Sequence, residues 1–136
     1  MTEPSLALQI AIRARLVASP AVLELVPADH IVDHSARPEA FPAIIIGDGR
    51  TALEDLTYSR NHVRVVADLH IWANETGLAT VKEIAGAVTA ALRTKPALTG
   101  LALVDFRVAG ARYLRDPSGH HGHAVLSIEA LLEERI

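Results

Sequence analysis

Between His62 and Leu92 an alternating segment, HVRVVADLHIWA, runs through the residues NETG into the amphipathic stretch LATVKEIAGAVTAAL. In the first segment Val63, Val65, Ala67, Leu69, Ile71 and Ala73 fall on one side, and His62, Arg64, Asp68, His70 and Trp72 on the other. That period of two is the mark of a strand with one buried face. In the second segment Leu78, Val81, Ile84, Ala85, Val88, Ala91 and Leu92 recur at steps of three and four, with Lys82, Glu83, Thr89 and Arg93 opposite. An apolar stripe of that spacing predicts a helix laid over the sheet that precedes it.

The flanking sequence extends this pattern. Ser5 is the expected cap of a first helix reaching about Ala18, with Leu6, Ile10, Ala14 and Val17 on one stripe and Gln9 and Arg13 opposite. Ser19-Pro20 repeats the start signal for a short helix that Pro27 ends. Ala28 to Pro42 lacks a clear period and reads as a connection, with a short extended piece at His30 to Asp33. FPAIII, from Phe41 to Ile46, predicts a strand that Gly47-Asp48-Gly49 closes as a turn. Arg50 to Asn61, charged at Arg50, Glu54, Asp55 and Arg60, then predicts a loop projecting from the sheet end. Leu103 to Leu114 reads as a strand with Val104, Phe106 and Val108 on one face and a bulge at Gly110. Asp116-Pro117-Ser118-Gly119 is a turn, and His123 to about Glu133 alternates as the last strand. The expected fold is an α+β two-layer sandwich over residues 1–136, a mixed or antiparallel sheet of about four strands with helices on one face. Such a sheet has two edges that need protection or a partner.

Composition narrows the function. At 136 residues and 50% hydrophobic content the chain suits one domain with its own core. The chain has no cysteine, which removes disulfides, thiol nucleophiles and thiolate metal sites together. A net charge of −3 supplies no broad basic field, so sequence-specific nucleic-acid binding is not expected. The opening MTEPSLALQIAIRARL is broken by Gln9, Arg13 and Arg15, which argues against a signal peptide or membrane span.

Residues capable of chemistry are few. His120, His121 and His123 cluster in the last turn, but adjacent histidines point to different sides and no H-E-x-x-H pattern completes a zinc set. His70 has Asp68 and Trp72 beside it and no nucleophile to serve. Glu54-Asp55 and Glu133-Glu134 diverge on any regular element, so neither forms a shared-proton pair. Arg107, Arg112 and Arg115, with Arg60 and Arg64, make a basic strip interrupted by Asp105 and Asp116. No catalytic or metal residues and no cofactor are assigned. A small metal-assisted hydrolase using the His120–His123 cluster remains open, as does a monomeric adaptor that captures a partner segment along a strand edge.

Read in order, LALQIAIRARL, PAIIIGDG, VRVVADLHIWANETGLATVKEIAGAVTAAL with Trp72 and Gly77, and DPSGHHG before the last strand resemble the tail terminator or tail-completion proteins of long-tailed phages, prophages and gene transfer agents. The histidine-rich turn is heavier than that family's pattern, and Ala43 stands where an aromatic residue is often found. The resemblance implies a structural virion protein rather than an enzyme. It implies a ring, usually a hexamer, that sits on the tail tube protein, stops tube growth and receives a head-side connector or stopper protein. Assembly in the bacterial cytoplasm, then residence in the particle's tail, follows from it. Arg50, Glu54, Asp55, Arg60, Asp116, His120, His121 and His123, on the polar projections, are the expected contact residues.

Overall fold

The computed structural model describes residues 3–33, 38, 40–54 and 61–134. Its elements are α1 (Pro4–Val17), α2 (Pro20–Leu25), a 3-10 turn at Ala28–His30, β1 (Ile31–Val32), β2 (Ala43–Glu54), β3 (His62–Ala73), α3 (Ala79–Ala91), β4 (Leu101–Arg115) and β5 (Gly122–Glu134). The strands form one mixed sheet in the order β1-β2-β3-β5-β4. β1 runs parallel to β2 and every other neighbour is antiparallel. The α+β class holds, with five strands instead of about four because the extended piece after His30 joins the sheet.

β3 and β5 form the centre. They pair from His62 opposite Glu133 to Ala73 opposite Gly122 without a register shift. Their shared inner face carries Val65, Leu69, Ile71, Leu126, Ile128 and Leu132, all essentially closed to solvent. α3 covers this face with Val81, Ile84 and Val88, while α1 packs on β2 and β3. Burying each such side chain contributes roughly 1.5–3 kcal/mol before conformational entropy is subtracted.

Several local expectations change. Glu3, not Ser5, caps α1: its carboxylate accepts from the Leu6 N–H at 2.8 Å and the Ser5 N–H at 3.2 Å. These bonds, with that from the Ser5 hydroxyl, hold the Glu3 pKa below its ordinary value. Ser19 does cap α2 through the Val22 N–H. α1 has two apolar stripes, and the buried one is Leu8, Ile12 and Leu16 with Ala7 and Ala11. The small alanines let the helix approach the sheet on that side, so Leu6 and Ile10 stand 48% and 59% exposed. Gly47-Asp48 is a bulge inside a continuous strand, not a turn, since β2 resumes pairing with β3 from Gly49 opposite Ala67 to Glu54 opposite His62. Val104 is exposed because a register slip between Leu103 and Asp105 turns it off the face that Phe106 occupies. The bulge at Gly110 is present, as a shift between Val108 and Gly110.

Two glycines give opposite expectations. A Cβ at Gly86, on the exposed side of α3, meets nothing within 4 Å, whereas one at Gly122 comes 2.9 Å from the Gly77 carbonyl oxygen. Gly86→Ala is therefore expected to raise stability by about 0.5–1 kcal/mol, through helix propensity and a less flexible unfolded chain. Gly122→Ala is expected to lower it by about 1–3 kcal/mol, because backbone must move. Urea unfolding of both variants checks the pair; equal midpoints would contradict the packing described.

Candidate functional site

The face of the sheet away from the helices is organised in cross-strand rows. One row runs Leu114, His123, Trp72, Ala43 across β4, β5, β3 and β2. Trp72 and His123 stack with ring centroids 3.9 Å apart and planes at 9°. In the next row His70 lies diagonally beside them, its Nδ1 2.9 Å from His123 Nε2. A contact of that length between two imidazole nitrogens holds one proton, donated by one ring and accepted by the other. Gly47 makes room for it, since a Cβ there would sit 2.8 Å from His70 Cδ2 and 3.1 Å from the Asp68 carbonyl oxygen. Burial is the main reason that the His123 pKa drops to about 4, assisted by the neighbouring His70 and Arg112 and opposed by Asp116.

The turn between β4 and β5 is tied to this cluster. The Gly119 N–H donates to the Asp116 carbonyl at 2.8 Å, and the Ser118 N–H donates to the Asp116 carboxylate at 3.2 Å. Gly119 takes φ +77°, a conformation glycine adopts without strain. His121 stacks on Phe41 at 4.5 Å, with its Nδ1 3.8 Å from Asp116 Oδ2. The cluster is therefore a set of stacked and hydrogen-bonded rings. A metal-assisted reaction would need a fuller ligand set, and among the described residues no group of three or more His, Cys, Asp or Glu side chains is placed to hold an ion.

The expected contact residues divide between two places. Asp116, His120, His121 and His123 lie at the β4–β5 turn, with His120 exposed. Arg50 and Glu54 belong to β2, opposite Val66 and His62, at the other end of the sheet. They are strand residues, not part of a projecting loop, because β3 offers partners along its whole length. Asp55 and Arg60 lie outside the described residues. β3 separates the two ends by 12 residues, roughly 36 Å at the usual rise. The basic strip also divides. Arg107 binds Glu129 at 2.7 Å, and the slip before Gly110 puts Arg107 and Arg112 on the outer face and Arg115 on the inner one.

Two features escaped sequence reading. β4 ends the sheet as an edge strand of 15 residues, with Val104, Tyr113 and Leu114 exposed by 45%, 38% and 42%. At the opposite edge β1 pairs only with Ile44 and Ile45, and α1 turns Leu6 and Ile10 outward nearby. Alternation in the sequence marked β4 as a strand; only the strand order shows that it and β1 are edges.

This geometry defines an α+β domain, a two-layer body whose sheet ends in β1 and β4. The chain belongs to the tail completion protein gp17 family, whose model matches residues 10–133. It is a structural protein of phage or gene transfer agent tails. A chain of the virion of a native gene transfer agent particle shares its fold, with TM-score 0.79 and 23% identity over 95% of this chain and 96% of that one. The gp17 protein of bacteriophage SPP1 is similar at TM-score 0.59 and 20% identity, over 93% and 89% of the two chains. No curated protein matches the chain. Among the described residues no helix is long and apolar enough to cross a membrane.

The histidine cluster sets a pH dependence. Unfolded, His123 takes a proton near 6.5; folded, it resists until about 4. The unfolded chain binds the extra proton throughout that window, so stability held above about pH 6.5 is lost progressively as the pH falls to about 4. The thermal midpoint is expected to drop on acidification across this range, and to drop less steeply in His123→Gln. Identical slopes in the two proteins would remove His123 from the explanation.

Proposed function

We propose that this protein forms a ring on the end of the tail tube, stops further tube addition and presents the surface on which the head-side connector or stopper protein seats. Family membership across residues 10–133 supports a tail role, and the open edge of β4 supports a ring. A 15-residue edge strand with exposed Val104, Tyr113 and Leu114 is a surface that a lone soluble domain normally blunts. Closure into a ring requires each subunit to present two different sides whose rotation divides the circle, and the family resemblance favours six copies.

A cap of this kind works by shape and needs no bond chemistry. The two ends of the sheet, one at Arg50 and Glu54 and the other at Asp116 to His123, supply separate polar surfaces for the tube side and the head side. Assembly would take place in the bacterial cytoplasm, after which the ring stays in the tail.

Purified protein imaged by negative-stain electron microscopy is expected to show rings, and tube protein polymerised in its presence is expected to give shorter, capped tubes. Tubes of unchanged length without end density would rule the terminator role out.

A further inference from the structure

We infer that the ring closes head to tail through the two ends of the sheet, with the edge of β4 in one subunit seated on the α1–β2 edge of a second copy. This contact rests on the ring reading above and gives it residues. Three observations select it.

The first is backbone. β4 is last in the strand order, so its outward N–H and C=O groups meet no further strand among the described residues. Its sequence, LALVDFRVAGARYLR, has none of the lysines or prolines that protect an edge, and its two register shifts bend the strand without ending it. At the other end of the sheet β1 covers Ile44 and Ile45 alone, and β2 continues to Glu54 with no described strand on that side.

The second is shape. Between α1 and the β1–β2 edge lies a groove of about 280 Å³, lined by Ile10, Ile31, Val32 and Ile46 among others. Gln9, Arg13 and Asp33 line it beside these apolar residues, it has room for a large side chain, and Tyr113, Leu114 and Val104 are the large apolar side chains that β4 presents. Ile10, 59% exposed, stands at its rim.

The third is charge. β4 carries Arg112 and Arg115 beside one acid, Asp105, while its Arg107 is already paired with Glu129 at 2.7 Å. The groove side carries Asp33, which accepts from the Gln9 amide at 2.9 Å, and exposed Asp48 follows on β2 with Arg50 beyond it. Arg13 at the groove is occupied, donating to the carbonyls of Ile31 at 2.9 Å and Ala28 at 3.1 Å. A contact of β4 with β4 would instead bring two sets of arginines together and leave the groove uncovered. The second copy therefore fits by its other end.

Two variants separate the possibilities. Ile10→Asp damages only the groove side, and Val104→Asp with Leu114→Asp damages only the β4 side. All three positions are exposed, so thermal midpoints within a few degrees of wild type are expected and are measured first. By native mass spectrometry and sedimentation each variant alone is expected to run as single subunits where wild type runs as rings. Mixed together, they are expected to form a one-to-one dimer that grows no further, since one intact β4 edge can meet one intact groove. If Ile10→Asp assembles like wild type while the β4 variant does not, the contact is β4 with β4 and the inference fails. If both variants assemble like wild type, the ring stands on other surfaces and the inference again fails. Wild type that stays single at high concentration, with and without tube protein, overturns the ring reading itself.

Discussion

The unbroken pairing of β3 with β5 is the constraint from which the rest of this structure follows. Twelve consecutive rungs put Leu69, Ile71, Leu126 and Ile128 on one surface, and that surface has to be removed from water. α3 and α1 are the only long helices among the described residues, and both are spent on it. Cover is therefore concentrated at the centre of the sheet. β4, beyond β5, keeps Phe106 and Leu101 buried but exposes most of its length, and β2 past the bulge exposes Arg50, Thr51, Ala52 and Leu53. The stable centre and the open edges are thus two consequences of one arrangement.

The opposite face shows how a sheet without helical cover is still ordered. Trp72, His123 and His70 pack against one another across the β3–β5 pair, and Phe41 lies on His121 beyond them. Ala43, Ile45 and Val125 in the same rows are nearly closed to solvent. Histidine suits this position because a flat ring stacks like an aromatic and still pairs its nitrogens. The cluster joins the end of β5 to β3 and steadies the turn from Asp116 to His121, which is where a rigid contact surface is most useful. Of the histidines that suggested metal chemistry in the sequence, His123 is engaged with Trp72 and His70, and His121 with Phe41, while His120 is exposed.

What was legible in the sequence was whatever rests on local period. β3, α3, β5, the Ser19 cap and the Asp116 turn read directly, because each repeats or punctuates over neighbouring residues. The errors came where a distant partner decided. Gly47-Asp48-Gly49 has the composition of a turn, yet β3 offers further rungs, and pairing outweighs the weak local preference of glycine and aspartate. α1 carries two equally apolar stripes, and only contact with β2 and β3 selects Leu8, Ile12 and Leu16 over Leu6 and Ile10. The contact residues were sought on polar loops. Two of the six described, Arg50 and Glu54, turned out to be strand residues toward the far end of the sheet, and the apolar edge surfaces were passed over as core.

A ring that caps a tube needs four separate surfaces on each subunit, two lateral and two axial. A five-stranded sheet has four borders: its first and last strands, and the two ends at which its strands turn. Here the lateral borders expose apolar side chains among their charges, Val104, Tyr113 and Leu114 on β4 and Leu6 and Ile10 on α1 beside β1. The strand end from Asp116 to His123 is polar, and the other end carries Arg50 beside exposed Leu53. Contacts between copies are made once and kept, which suits apolar burial, whereas contacts along the axis join different proteins in a set order, which suits charge and hydrogen bonding for selectivity. The distribution of residue types around the sheet therefore matches the division between lateral and axial contact in the proposed ring. It also explains why the interior carries so little chemistry: in a subunit of this kind the borders, not a pocket, do the recognition.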